Sequence, residues 1–254
     1  QGTGQFELRL NAGNRSRPTE ARLEFCTGGD AVNPAVLSPD LVWDPGRWYK
    51  LTVTRTGDEI NIYRDGIRAG YDAAVAGRNN ADDLRVTLGL RNDPNDDPSS
   101  RLLPFNGDMD HFKMLAYSFN SRDVAQAYKS DVRSFDKFLK RKGLTAYYSF
   151  GKPNEWFDGR DDDENSTAAE LLLATNPGEH NGTIAGGTSA DDRDGLFHSL
   201  RLDSAVANNH LEVNTGTIGT APPERLGDFL HNGTDNFTVA CWFRPEILSG
   251  ESRL

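Results

Sequence analysis

Apolar and polar residues alternate along much of the chain, which is the period of a β-strand with one face in a core. The clearest case is WYKLTVTR, where Tyr49, Leu51 and Val53 fall on one face. The polar face of the same stretch carries Lys50, Thr52 and Thr54. This pattern predicts a strand that is half-buried, with its polar face towards solvent.

The same alternation recurs in short stretches that are separated by turn residues. Thr56-Gly57-Asp58-Glu59 and Asp65-Gly66 are signals for tight turns between antiparallel strands. Many short strands joined by such turns predict two packed antiparallel sheets. Further strands are predicted near residues 5–10, 21–26, 60–64, 84–90, 104–119, 144–150, 196–203, 209–216 and 236–243.

One stretch changes to the period of a helix. From Val124 onward, apolar residues recur at three- and four-residue steps, which predicts one amphipathic helix or two short ones over 121–142. Asn120 or Ser121 can cap its start, since both side chains accept hydrogen bonds from backbone N–H groups. The sequence KRKG at 140–143 places positive charge at the C-terminal end, with glycine as the stop.

Charge narrows the classes of partner. The chain has 254 residues, enough to bury a core, and a formal net charge of −10. Its surplus of acid lies in residues 144–254, which carry 7 Lys/Arg against 18 Asp/Glu. An acidic surface repels nucleic acid and anionic membrane, so neither is an expected partner. No apolar run reaches the length of a membrane span, so membrane insertion is not expected either.

Six blocks of sequence carry a family resemblance. They are Trp48–Gly57, Ile60–Gly66, Phe105–Tyr117, Leu144–Phe150, Ser199–Asp203 and Phe237–Pro245. Together they resemble the laminin-G-like jelly rolls of the concanavalin-A-like lectin/glucanase superfamily. In those modules the last three blocks come first, so the two halves of the module stand here in permuted order.

The resemblance implies an all-β fold, an antiparallel two-sheet jelly-roll sandwich with one amphipathic helical connector. Residues 1–117 resemble the closing half of such a module and are called the closing segment below. Residues 118–143 are a basic helical linker, and residues 144–254, the opening segment, resemble the opening half. Either segment alone would expose unpaired strand edges and apolar faces.

The two ends of the sequence read as two strands of one hairpin. QGTGQFELRL begins within a strand, and SGESRL ends where a return strand is expected. We therefore expect each segment to be completed by its complement. The complement can come from the same chain as a circular permutant, from the neighbouring repeat of a tandem array, or from another copy in a head-to-tail assembly. All three arrangements stay open.

The expected function depends on the predicted strand at 104–119, which lacks the glutamates of a catalytic set. Hydrolases of the family carry Glu-x-Asp-x-x-Glu on one strand, and the nearest match here is Asp108-Met109-Asp110, without a glutamate. We expect a non-catalytic adhesion or structural module, extracellular or at the cell surface. The alternative is a carbohydrate-binding module of a secreted glycan-degrading enzyme, and a glucanase-like hydrolase is the third interpretation.

Calcium is the expected cofactor, because carboxylate oxygens suit this hard cation. In similar jelly rolls a structural Ca²⁺ sits where the first loop meets the last strand, which would bring Asp158 and Asp110 together. Asp161 and Asp163 stand at alternate positions of the acidic stretch DDDEN. This stretch is not an EF-hand, since Ser166 replaces the required glycine, and the alternative is a solvated acidic loop.

A glycan partner would need an aromatic ring on which a sugar can stack. Trp43 and Trp156 lie in loops with acidic neighbours and are the candidates. The alternative for a loop tryptophan is packing over the edge of the sandwich. Trp48 and Trp242 lie in strand blocks, which predicts that they are in the core.

Two cysteines, Cys26 and Cys241, each fall in a predicted strand. Two thiols are too few to define a disulfide framework. Two small buried apolar side chains and a single disulfide are both compatible with the sequence.

Overall fold

The computed structural model describes residues 7–13, 19–26, 36–72, 86–89, 105–115, 117–129, 144–148, 168–169, 182–185, 188–191, 198–203, 210–213, 236–246 and 251–253. These residues form antiparallel strands and one short helix, which confirms the predicted all-β fold with a helical connector. The strands are β1 (Glu7–Asn11), β2 (Glu20–Cys26), β3 (Val36–Leu37), β4 (Leu41–Val42), β5 (Tyr49–Thr56), β6 (Glu59–Arg64), β7 (Ile67–Asp72), β8 (Val86–Leu88), β9 (Gly107–Leu115), β10 (Leu144–Tyr148), β11 (Ala168–Ala169), β12 (Gly182–Ala185), β13 (Thr188–Asp191), β14 (His198–Leu202), β15 (His210–Val213), β16 (Phe237–Pro245) and β17 (Glu251–Arg253).

The eight-stranded sheet places strands of both segments side by side. Its order is β13-β14-β9-β16-β5-β6-β7, with β10 also paired to β9. Strand β16 lies between β5 and β9, so that Thr238 faces Thr54 on one side and Leu115 on the other. A strand from the opening segment therefore occupies the middle of a sheet whose neighbouring strands come from the closing segment.

The other two sheets also combine the segments. The five-stranded sheet has the order β17-β1-β2-β3, with β4 also paired to β2. Its first pair joins the two ends of the sequence, with Arg9 opposite Arg253 and Asn11 opposite Glu251. The four-stranded sheet has the order β11-β12-β15-β8, in which β8 comes from the closing segment. The expected hairpin between 251–254 and the start of the sequence thus forms within one chain.

The main core lies between the two larger sheets. It joins Leu10, Leu23 and Phe25 of the five-stranded sheet to residues of the eight-stranded sheet. The latter include Leu51, Val53, Ile60, Ile62, Met109, Met114, Cys241 and Phe243. Apolar residues at alternate positions of β5 and β6 supply this core, as their periodicity predicts.

Strand β5 is buried on both faces, which corrects the expectation of a half-buried strand. Lys50, Thr52 and Thr54 are 7%, 3% and 1% exposed. The helix explains part of this burial, because the Lys50 ammonium donates a hydrogen bond to the carbonyl of Ala127 at 2.5 Å. Alternation within one strand cannot reveal that a second element covers the polar face.

Helix α1 runs from Ser121 to Lys129. The Asn120 side chain caps it by accepting hydrogen bonds from the backbone N–H groups of Arg122 at 2.9 Å and Asp123 at 3.0 Å. The predicted start of the helix is therefore confirmed, with Asn120 as the cap. Residues 130–143, which include KRKG, lie outside the described residues.

The Asp65-Gly66 turn between β6 and β7 is also confirmed. Both residues have positive φ, 52° for Asp65 and 79° for Gly66, as a two-residue hairpin turn requires. The Asp65 carboxylate accepts a hydrogen bond from the backbone N–H of Lys50 at 2.8 Å, so the turn is fixed to β5.

Within the described ranges, no helix has the length and apolar character needed to cross a membrane.

Candidate functional site

The face of the eight-stranded sheet that is turned away from the main core carries the candidate site. On β9, Asp108 and Asp110 alternate with the core residue Met109. On β16, Trp242 and Arg244 flank the core residue Phe243 in the same way. This surface is called the outer face below, and β9 and β16 bring its residues together as adjacent strands.

Asp108 is held in the centre of an ion-pair cluster on the outer face. Its side chain is fully buried, and its carboxylate accepts a hydrogen bond from Nε of Arg244 at 2.7 Å. Nη1 of Arg201 lies 3.4 Å from the other carboxylate oxygen. Burial raises the pKa of Asp108, and the two guanidinium groups lower it by less. The cluster joins the closing segment, which supplies Asp108, to the opening segment, which supplies both arginines.

The cluster extends to the surface on two sides. Arg201 forms a second ion pair with Glu246, and both side chains are partly exposed. The guanidinium of Arg244 lies 5.1 Å from the ring centroid of Trp48. Trp48 is half-buried rather than part of the core, which differs from its predicted position. The ring of Trp48 makes a cation–π contact with the same arginine that forms the ion pair with Asp108.

Asp110 lies two residues further along β9 and is 1% exposed. Its carboxylate accepts a hydrogen bond from the backbone N–H of His111 at 2.7 Å and lies 3.5 Å from the imidazole of that residue. His111 has a φ of 50°, in the left-handed region that is uncommon for residues other than glycine. Asp110 is therefore engaged locally and is not presented to solvent.

Trp242 forms the third part of the outer face, together with α1. The ring of Tyr128 stacks on it with centroids 5.7 Å apart, and the ammonium of Lys50 lies 5.6 Å from its centroid. Trp242 is 6% exposed, which confirms its prediction as a buried residue. Helix α1 thus covers this part of the sheet through the ring contact of Tyr128 with Trp242 and the hydrogen bond from Lys50 to the Ala127 carbonyl.

Trp43 lies in the main core, which corrects its expectation as a stacking platform for sugars. It is 0% exposed, and its indole N–H donates to the carbonyl of Ala21 at 3.0 Å. Tyr49 and Phe243 pack against its ring with centroids 4.8 Å and 5.3 Å away. No face of the ring is open to a ligand, so the alternative of packing within the sandwich is the observed one.

The other predicted site residues, Trp156, Asp158, Asp161 and Asp163, lie outside the described residues. Whether any of them approaches Asp110 is therefore not tested, and the calcium site stays a prediction. Among the residues with described positions, no group of three or more His, Cys, Asp or Glu side chains is arranged to hold a metal ion.

Cys241 is a free thiol buried in the main core. It does not form the disulfide that the sequence left open, and the side chain of Cys26 lies outside the described part of the chain. Burial raises the pKa of Cys241 to about 12, because the charged thiolate is disfavoured among apolar neighbours.

We expect the Cys241 thiol to resist alkylation in the native protein at pH 8 and to react fully in denaturant. The thiolate is the reactive form, and a pKa raised from 9.0 to about 12 leaves almost none of it at that pH. Peptide mapping by mass spectrometry measures Cys241 separately from Cys26. Equal labelling rates in native and unfolded protein would contradict the described burial. Above pH 9 the same shift predicts a progressive loss of stability, because the unfolded state ionises first.

Among the described residues, the side chains of the outer face are engaged in packing and ion pairs. Sequence reasoning did not identify Lys50, Arg201 or Arg244, which hold the outer face together. Each lies on a strand whose alternation was recognised, but their partners are distant in the sequence, with Arg244 separated from Asp108 by 136 positions. Local periodicity carries no signal for such pairs.

The chain was compared with known proteins. A family model of the concanavalin A-like lectin/glucanases superfamily matches residues 1–125, which include the closing segment and most of α1. No curated protein and no solved structure matches the chain. This match confirms the resemblance to the superfamily over residues 1–125, and the permuted order of the two halves stays a prediction.

Proposed function

We propose that the chain is a non-catalytic adhesion or structural module that acts outside the cell or at its surface. The match of residues 1–125 to a model of the concanavalin A-like lectin/glucanases superfamily supports this role, since the superfamily includes lectins, adhesins and structural modules as well as hydrolases. One observation carries the proposal against catalysis. Both carboxylates of β9 are withdrawn from solvent, with the side chains of Asp108 and Asp110 0% and 2% exposed.

Glycoside hydrolysis needs two carboxyl groups on either side of an accessible glycosidic bond. One must donate a proton, and the other must attack the sugar or activate water. Asp108 is bound to two arginines, and Asp110 accepts a backbone hydrogen bond. Neither is placed to reach a substrate, so the outer face supports structure better than hydrolysis.

We expect no hydrolysis on a panel of β-glucans. The measurement is release of reducing sugar by the wild type, compared with the variants Asp108→Asn and Asp110→Asn as matched controls. All three are expected to give the same background rate. Turnover by the wild type that either variant abolishes would contradict the non-catalytic assignment and favour the glucanase interpretation.

Carbohydrate binding is the alternative role, for which Trp43 and Trp156 are the candidate stacking platforms. Trp43 is buried and cannot stack on a sugar. Trp156 is the remaining candidate platform. A glycan array with wild type and Trp156→Ala distinguishes the roles. Binding that Trp156→Ala abolishes would favour a carbohydrate-binding module, whereas the adhesive or structural role predicts no such dependence.

For calcium, we propose that the acidic residues Asp158, Asp161 and Asp163 of the opening segment supply the ligands. Asp110 fits this set poorly, because its carboxylate is buried and already accepts a hydrogen bond. Carboxylate oxygens at these three positions, which lie close together in the sequence, would bind the ion and fix this stretch of the opening segment.

We expect millimolar CaCl₂ to raise the melting temperature and EDTA to reverse the rise, since a ligand that binds the folded state stabilises it. Asp161→Asn and Asp163→Asn together should remove the response. Asp110→Asn is the matched control and should retain it. A melting temperature that calcium leaves unchanged would contradict the site.

A further inference from the structure

The closing segment contains an acceptor groove for one strand, between β5 and β9. Strand β16 fills it and pairs over seven positions with β5 and seven with β9. Phe237, Cys241 and Phe243 point into the main core, while Trp242 points to the outer face. We propose that this groove also accepts β16, with the rest of the opening segment, from a second copy of the chain.

The backbone of the groove fits only a strand that approaches very closely. Gly107 has a φ of 151°, and a Cβ atom added there would lie 2.1 Å from the carbonyl oxygen of Arg244 and 3.0 Å from Cα of Pro245. Any side chain at Gly107 would push β16 out of the groove. The close contact of Gly107 with Arg244 and Pro245 contributes to recognition of the strand, because it fixes the position of the C-terminal end of β16.

Charge complementarity identifies the strand that the groove accepts. Asp108 is buried at the end of the groove and needs a cation, which Arg244 of β16 supplies at 2.7 Å. Lys50 lies over the ring of Trp242, at the position of β16 opposite to it. A strand with a tryptophan and an arginine two positions apart provides a ring for Lys50 and a cation for Asp108. A second copy of this chain carries such a strand.

The contacts in the groove are the same whether β16 comes from the same chain or from another. The register partners Arg55 and Phe237 are about 180 residues apart, and the entropy cost of closing a loop grows only slowly with its length. Residues 130–143 connect α1 to β10, and a stretch of that length spans up to about 46 Å when extended. Exchange of the opening segment between two copies therefore preserves every strand pair.

This inference rests on the proposed structural role, and it names the partner as a second copy. Two full-length variants test it. Gly107→Val blocks the groove but keeps an intact β16, and Phe243→Asp disables β16 but keeps an intact groove. In a mixed dimer, the β16 of the first variant would occupy the groove of the second.

Each variant is expected to show no cooperative melting alone. Refolding them together should recover about half of the wild-type transition amplitude, since one of the two grooves is filled. Native mass spectrometry should show a species that contains one chain of each variant. Mixing two preparations of the same variant is the control and should recover nothing. Absence of recovery and of the mixed species would overturn the proposal.

Wild-type copies provide a second readout if either variant folds alone. Unlabelled and ¹⁵N-labelled chains are unfolded, mixed and refolded at high concentration, and dimers of intermediate mass are expected. Monomers at every concentration would overturn the exchange. The glucan assay responds to catalysis and not to assembly, so failure of the proposed function and failure of this inference give different results.

Discussion

Replacing Gly107 with valine is expected to abolish the cooperative unfolding transition of the chain. The new side chain would meet the carbonyl oxygen of Arg244 and the backbone of Pro245, which cannot move without displacing β16. Because β16 lies between β5 and β9, its displacement would separate the two halves of the eight-stranded sheet. The backbone conformation of Gly107, with a φ of 151°, adds to the cost for any other residue. Thermal unfolding followed by circular dichroism measures the effect.

Gly57→Ala is the matched control for this substitution. Gly57 also has positive φ, at 58°, but a Cβ atom there would meet nothing within 4 Å. We expect this variant to lose about 1–2 kcal/mol, which is the cost of a left-handed backbone conformation for a residue that has a Cβ atom. Similar losses for both variants would show that backbone conformation, and not the approach of β16, makes Gly107 necessary.

The second large effect is expected from Arg244→Met, which removes the guanidinium closest to the buried carboxylate of Asp108. Taking one partner from a buried ion pair leaves a charge without full compensation, and such changes cost about 3 kcal/mol or more. Arg201 remains beside Asp108 but is partly exposed and shared with Glu246. Urea unfolding of wild type and variant at pH 7 measures the difference in the free energy of unfolding.

Arg47→Met is the matched control for Arg244→Met. Arg47 also lies over an aromatic ring, that of Tyr49, and pairs with Asp44, but its ion pair is mostly exposed. Exposed pairs contribute little, so we expect a loss below about 1 kcal/mol. Equal losses in the two variants would contradict the importance of burial at Asp108.

The effect of pH follows from the raised pKa of Asp108. An acid whose pKa in the folded state lies above its unfolded value loses stability as pH rises through that interval. Removing Arg244 raises the pKa of Asp108 further, because this arginine lowers it in the wild type. The loss in the free energy of unfolding of Arg244→Met, relative to the wild type, should therefore be largest at neutral pH. It should shrink towards about pH 4, as Asp108 takes up a proton. Unfolding curves at several pH values test this.

Local patterns predict much of the fold. Alternation locates β5, β6 and β16, because each of these strands sends every second side chain into the main core. In β9 the alternation breaks at His111, so that Met109, Phe112 and Met114 enter the core. The Asp65-Gly66 turn and the Asn120 cap are also predictable, since both depend on residues close together in the sequence. The two-residue strands β3 and β4 are too short to show any period.

The candidate site is harder to predict, because it is made by pairs that are distant along the chain. Nothing near Lys50 shows that helix α1 will cover it. Trp43 has the loop context of a surface residue, yet the sandwich closes over it and buries it completely. The cation that Asp108 requires is supplied by a strand from the other segment. The burial and contacts of these side chains depend on how whole strands and the helix pack against one another. The hydrophobic period of a single strand does not show this packing.

The position of β16 between β5 and β9 is the central claim, and nuclear Overhauser contacts test it most directly. Backbone protons of Thr238 are predicted to give contacts to both Thr54 and Leu115, the residues opposite to it on the two neighbouring strands. At low concentration, these contacts should persist within single chains in isotope-filtered spectra of mixed labelled and unlabelled protein. Absence of either contact, with the amides of Phe237–Pro245 exchanging at the rate of an unfolded chain, would contradict the described fold.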